Sequence, residues 1–238
     1  MAETILEIDG LEAGYGDVQV LWDVSLRVEA GAITCIVGSN GAGKTTLLRT
    51  ISGLIAPRAG SIRLGGAEIG GAAPDAVLGA GVAHVPEGRR LFKGLSVRDN
   101  LMLGAYLRQD KAQVARDLDF VMETFPILRE RAGQDATTMS GGEQQMCAIG
   151  RGIMSAPRLL MIDELSLGLA PRLVETLGEA LMEVNRTGLT ILLVEQDVMT
   201  ALDLASQGFV IETGRVTMTG PSTVLAGDAR IREAYMGL

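Results

Sequence analysis

The residues best equipped to do chemistry form the run Gly38-Ser39-Asn40-Gly41-Ala42-Gly43-Lys44-Thr45-Thr46. It follows the apolar stretch Ala32–Val37 and precedes Leu47–Ile51, whose apolar spacing is helical. Strand, glycine-rich turn and helix, with Gly-x-x-x-x-Gly-Lys-Thr at the junction, make a phosphate-binding loop. The glycines let successive N–H groups turn inward around phosphate oxygens. A helix starting near Lys44 adds unpaired amides and the positive end of its dipole. Lys44 is expected to reach the β- and γ-phosphates, and Thr45 to ligate Mg²⁺. The expected ligand is a nucleoside triphosphate.

Other runs belong to the same chemistry. Leu159–Ile162 is apolar on both faces and ends in Asp163-Glu164. Such a strand sits inside a parallel sheet, and its C-terminal end is where ligands bind. Asp163 is suited to hold Mg²⁺, and Glu164 to polarise an attacking water. Glu195-Gln196-Asp197 ends a second such strand, Thr190–Val194. Ser140-Gly141-Gly142-Glu143-Gln144 opens a helix, and Ser140 with Glu143 spells a capping box. A cap alone does not call for two consecutive glycines, which weaken a helix but let backbone approach an anion. Tyr15, between Gly14 and Gly16, could stack on a purine or pack on its own hairpin. His84, the only histidine, alternates with apolar residues and reads as a strand or core residue.

The elements that must position these groups follow from the pattern. Ile5–Ile8 and Gln19–Trp22 flank a turn at Gly14–Asp17 and read as an antiparallel sheet; Ser61–Leu64 and Gly81–Val85 are further strands, and Pro74–Leu78 a short helix. From Phe92 to about Thr138 helical periodicity replaces strand signals. Val97, Leu101, Leu103 and Leu107 make one stripe; Val114, Leu118, Val121, Met122 and Phe125 make another, broken at Pro126. After Asp163-Glu164 come a helix, Leu173–Val184, a hairpin at Glu212–Arg215 and two short C-terminal helices. The expected architecture is one α/β domain over 1–238. Residues 1–91 supply antiparallel β-structure and the phosphate loop, 92–155 a helical subdomain, and 156–238 the rest of a mostly parallel core.

The 238 residues suffice for a sizeable core, and 47% of them are hydrophobic. With 21 Lys+Arg against 29 Asp+Glu, the net charge of −8 argues against nucleic acid or anionic lipid held by charge alone. No run is long and apolar enough to span a bilayer, and the N-terminus lacks a signal-peptide pattern. Cys35 and Cys147 read as reduced core residues, which fits a cytosolic chain.

Together the phosphate loop, Ser140–Gln144 and Leu159–Glu164 resemble the ATP-binding subunits of ABC transporters over nearly the whole chain. The resemblance implies a P-loop NTPase core and a nucleotide sandwich of two subunits. ATP would lie on Gly38–Thr46 of one subunit, under Ser140-Gly141-Gly142 of the other, with adenine stacked on Tyr15. Val85–Phe92 and Asp163–Pro171 are most similar to the LivF-like ATPases of branched-chain amino-acid importers. Four positions depart from the general pattern. Glu87 stands for a Gln that senses Mg²⁺ and the membrane subunit, and Gln196 for a His that contacts the γ-phosphate. Leu165 and Ala170 replace the usual Pro and Asp around the acidic pair. Glu87 brings a second negative charge near Mg²⁺, while Gln196 can hydrogen-bond a phosphate but carries no proton or charge. Leu165 is expected to alter loop rigidity more than charge.

The implied function is ATP hydrolysis powering an inner-membrane importer for branched-chain amino acids, from its cytoplasmic face. Implied partners are a second ATPase subunit, integral membrane permease subunits and, indirectly, a periplasmic amino-acid-binding protein. The loop Glu87–Leu95 and the helical subdomain would face the permease. Alternatives are an importer for another amino acid or amide, or an ATP-driven clamp made slow by Gln196. A DNA-repair member of the superfamily would need long heptads between Lys44 and Ser140, for which there is no room.

Overall fold

The computed structural model describes residues 3–236. Two sheets and a helical layer surround the phosphate loop. The first sheet is antiparallel, in the order β2 (Val18–Glu29), β1 (Thr4–Tyr15), β4 (Ala59–Leu64), β5 (Ala67–Glu68). β1 and β2 are each 12 residues long and run well past the expected segments. β1 continues through Gly10 as a bulge: its φ is 58° and the register shifts between Ile8 and Leu11.

The second sheet has the order β10 (Arg215–Pro221), β9 (Gln207–Glu212), β3 (Ile33–Val37), β8 (Thr190–Glu195), β7 (Leu159–Asp163), β6 (Val82–Val85). β9, β3, β8, β7 and β6 pair in parallel, and β10 closes the edge antiparallel to β9. β3 and β7 are buried at every residue, as strands covered on both faces must be. Their C-terminal ends, with that of β8, deliver the phosphate loop, Asp163-Glu164 and Glu195-Gln196 to one edge of the sheet. α1 (Lys44–Ile51) packs between the two sheets.

The helical part comprises α3 (Val97–Leu103), α4 (Lys111–Thr124), α5 (Pro126–Glu130) and a 3₁₀ turn at Ala136–Thr138, followed by α6 (Gly141–Ile153). Pro126 opens α5 at its first position, where a missing N–H costs nothing. The second apolar stripe is buried as expected. The first divides. Val97 and Leu101 are buried, but Leu103 and Leu107 are exposed, because α3 ends at Leu103 and six residues rotate a side chain to the opposite flank. Leu103 instead joins Phe92, Tyr106, His84, Ala148 and Arg151 around a groove of about 350 Å³. The C-terminal helices are α9 (Ser222–Gly227) and α10 (Ala229–Met236).

Among the described residues no helix is long and apolar enough to cross a membrane. Both cysteines are buried and free, and burial holds their thiols protonated, at about 12 for Cys35 and about 11 for Cys147.

Candidate active site

The phosphate loop is built by exclusion of side chains. At Gly38 a Cβ would lie 2.2 Å from the Ile211 carbonyl oxygen, so only glycine lets β3 leave the sheet there. Gly43, at φ 109°, is the N-cap of α1 and offers no side-chain hydrogen bond, which leaves the first-turn amides for another acceptor. Lys44 is buried and donates from Nζ to the Gly38 carbonyl at 2.7 Å and to that of Ser39 at 3.2 Å. Nζ also lies 3.8 Å from Glu164 Oε1.

These groups border a cavity of about 530 Å³, lined by Val20, Asn40, Gly41, Gly43, Lys44, Thr45, Thr46, Glu87, Glu164, Leu167 and Gln196. Gly38, Ser39 and Ala42 do not line the cavity: the first two hold Lys44 through their carbonyls, and the Ala42 carbonyl accepts from Gly214 N at 2.8 Å. Tyr15 does not line the cavity; it is 45% exposed, and its hydroxyl accepts from Arg49 Nη1 at 3.2 Å and from the cavity residue Thr46 at 3.5 Å. His84 stays outside. Its Nδ1 is 3.2 Å from Ser52 Oγ, and burial with nearby Arg49 lowers its pKa to about 4, so it is neutral at pH 7.

The carboxylates are arranged for a cation. Thr45 Oγ1 donates to Asp163 Oδ1 at 3.3 Å, while Asp163 Oδ2 is buried without a hydrogen-bond partner. Burial raises the Asp163 pKa to about 6, and the charges of Glu164 and Glu87 add to this. Glu164 is also raised, by burial first and by Glu87, while Lys44 opposes. Among the described residues no three His, Cys, Asp or Glu side chains form a metal cage. A hydroxyl, an unsatisfied carboxylate oxygen and room for phosphate oxygens fit Mg²⁺ shared with a nucleotide, the usual way this ion is bound.

Ser140–Glu143 does not line this cavity. The expected capping box is present: Ser140 N donates to Glu143 Oε2 at 2.8 Å, and Glu143 N to Ser140 Oγ at 3.5 Å. Glu143 Oε1 is also 3.3 Å from Arg131 Nε, so its carboxylate is engaged within the chain. Ser140 is exposed, Gly141 lies against the Arg89 guanidinium, and Gly142 is buried under Leu173.

The ABC transporter family matches residues 21–166. The chain belongs to the ABC transporter family. It is 44% identical to the high-affinity branched-chain amino acid transport ATP-binding protein BraG of Pseudomonas aeruginosa, over 98% of this chain and 100% of that one. It is 34% identical to the probable branched-chain amino acid transport ATP-binding protein LivF of Archaeoglobus fulgidus, over 96% and 97%. Among solved structures it resembles an ATP-binding subunit of an ABC transporter at TM-score 0.82 and 30% identity, covering 98% of this chain and 96% of the other. A nucleotide-free ATP-binding cassette at TM-score 0.85 and 23% identity covers 99% and 100% and supports the fold. The expected α/β P-loop architecture and the assignment as an ABC ATPase both hold. Nucleotide is the ligand of such domains.

In this ABC ATPase no sequence signal marks Val20 or Leu167 as cavity walls, because neither carries a polar group. It also left Glu195 without a role. Glu195 is fully buried, and its carboxylate accepts from Ser166 N at 2.8 Å, Ser166 Oγ at 2.9 Å and Gln196 N at 3.3 Å. Leu165, expected to act through loop rigidity, is fully buried in the core.

Proposed function

We propose that this ABC ATPase drives an importer for branched-chain amino acids from the cytoplasmic face of the cell membrane, working as a sandwich of two ATPase subunits. Support for the cargo is the end-to-end similarity to BraG and LivF. Support for the sandwich is one observation above all: the chain carries a phosphate cavity and a Ser-Gly-Gly helix start, and the second does not line the first. A site split in this way is completed by a second subunit. The partner would be a second copy or a sibling ATPase, with permease subunits seated over the Glu87–Leu95 loop and the groove beside it.

In this reading the loop amides and Lys44 neutralise phosphate charge, and Tyr15 stacks on adenine. Ser140-Gly141-Gly142 of the second subunit closes over the γ-phosphate, with the Glu143 carboxylate fixing that turn through its cap. Thr45 and Asp163 would hold Mg²⁺, with Glu87 beside them; the ion would neutralise charge developing between the β- and γ-oxygens. Glu164 orients the attacking water and Gln196 hydrogen-bonds the γ-phosphate. Catalysis of this kind is mainly positioning and electrostatics.

The test is the mass of Glu164→Gln protein by size-exclusion light scattering, with and without ATP and Mg²⁺. Loss of hydrolysis with an ATP-dependent doubling of mass is expected if two copies pair. A variant that hydrolyses ATP like wild type would overturn the role of Glu164. A monomer that still binds ATP would overturn self-pairing and leave a sibling subunit as the partner. Gln196 favours a second reading, a slow ATP-driven clamp, because it cannot carry a proton. Phosphate release by wild-type protein separates the two.

A further inference from the structure

We infer that Glu195 is a positioning residue that holds Glu164 in its working orientation by fixing the loop that follows it. Glu164 has a left-handed backbone, φ 60°, which a non-glycine residue keeps only when its surroundings impose it. Its own N–H donates to the Val194 carbonyl at 2.9 Å, which anchors one side. On the other side Ser166, two residues on, gives both its backbone N–H, at 2.8 Å, and its hydroxyl, at 2.9 Å, to the Glu195 carboxylate. The carboxylate thus acts as a fixed acceptor for the turn, doing for it what an N-cap does for a helix.

The link to the reacting groups is direct. The Gln196 N–H donates to Glu195 Oε2 at 3.3 Å, and Gln196 and Glu164 line the same cavity. Glu195 therefore sets two things together: the turn that follows Glu164 and the start of the Gln196 loop. It does not line the cavity and would touch neither nucleotide nor water. A charged group buried this deeply is expensive unless it is fully hydrogen-bonded, and here its donors come from the turn after Glu164 and from the Gln196 amide. A residue serving only the core would be met more cheaply by an apolar side chain.

The inference rests on Glu164 being the water-orienting residue, so Glu164→Gln is run beside the variants. Full-length wild type, E195Q, E195A and S166A are compared for ATP hydrolysis, for binding of a fluorescent ATP with Mg²⁺, and for backbone hydrogen exchange without nucleotide. In E195A kcat is expected to fall about tenfold or more with binding within about threefold of wild type, since small misplacements act on rate before affinity. E195Q keeps one acceptor oxygen and S166A keeps both amides, so both should lose less. Exchange should rise in the segment from Glu164 to Leu167 and stay unchanged in β3, β8 and α1.

If E195A does not fold, E195Q carries the test on rate and exchange together. The inference is overturned if E195Q and E195A turn over like wild type while E164Q is inactive. It is equally overturned if exchange rises throughout β7, β8 and the phosphate loop with binding lost, which is the signature of a core residue. Activity in E164Q at the wild-type level would instead remove the reading of Glu164 on which this inference stands.

Discussion

Two glycines of the phosphate loop separate folding from ligand binding. An alanine methyl at Gly38 would sit 2.2 Å from the Ile211 carbonyl oxygen, a backbone atom that no rotamer change can move. Ordinary carbon–oxygen contact is about 3.3 Å or more, so the end of β3 and β9 must part by roughly 1 Å. Overpacking of that size costs about 1–3 kcal/mol. For a chain of this size that lowers Tm by roughly 3–10 °C. Gly41 differs. Nothing lies within 4 Å of its added Cβ, and the penalty is only that of φ 79°. That is about 1–2 kcal/mol, offset by about 0.4–1 from reduced freedom of the unfolded chain, so Tm should fall by no more than roughly 6 °C. Yet Gly41 lines the cavity, and a methyl there crowds the turn that must close on phosphate. Thermal melts and titration with a fluorescent ATP should therefore show opposite rankings. Gly38→Ala loses more stability, and Gly41→Ala loses about tenfold or more in affinity. An unchanged Tm in Gly38→Ala would refute the close approach of β3 and β9. Wild-type affinity in Gly41→Ala would refute the phosphate assignment of the loop.

Lys44→Ala should nearly abolish ATP binding in the same titration, because it removes the cation that faces Glu164 and lines the cavity; retained affinity would sink that role. The buried Glu195 predicts a pH dependence. Burial raises its pKa from 4.5 to about 7, against the opposing hydrogen bonds from Ser166. A carboxyl raised on folding contributes stability that is complete below about pH 4.5 and lost as pH climbs through 7. Glu195→Gln does not titrate, so its Tm relative to wild type should rise between pH 5 and pH 8, by the equivalent of up to roughly 3 kcal/mol. A difference that stays flat or falls would refute the burial cost.

What could be read in the sequence was chemistry carried by neighbours along the chain. The phosphate loop and the capping box of Ser140 and Glu143 place their partners within a few residues. The acids ending β7 are marked by the apolar run before them, although Asp163 meets Thr45 across 118 residues. The hold of Glu195 on Ser166 spans 29 residues and two strands, and no local pattern signals it. Leu165, which stands where the family usually has a proline, reads as a loop change beside the acids, yet its side chain reaches the core. Reading Val97, Leu101, Leu103 and Leu107 as one stripe presumes a helix longer than the seven residues α3 has. The expected strand at Ile5–Ile8 stops short because a bulge at Gly10 interrupts the alternation that marks the rest of β1.

α6 joins two places that otherwise have nothing in common. Its first turn is the capped Ser140–Glu143 start, and its last turns, at Ala148, Arg151 and Gly152, form part of the groove with Phe92 and Tyr106. Thirteen residues make a rod of about 20 Å, stiffened by internal hydrogen bonds and pinned at its start by Arg131. A tilt of about 3° imposed at the groove carries the far end by about 1 Å. That is a lever with its load at the signature turn, so force applied where no nucleotide reaches is felt where phosphate would be gripped.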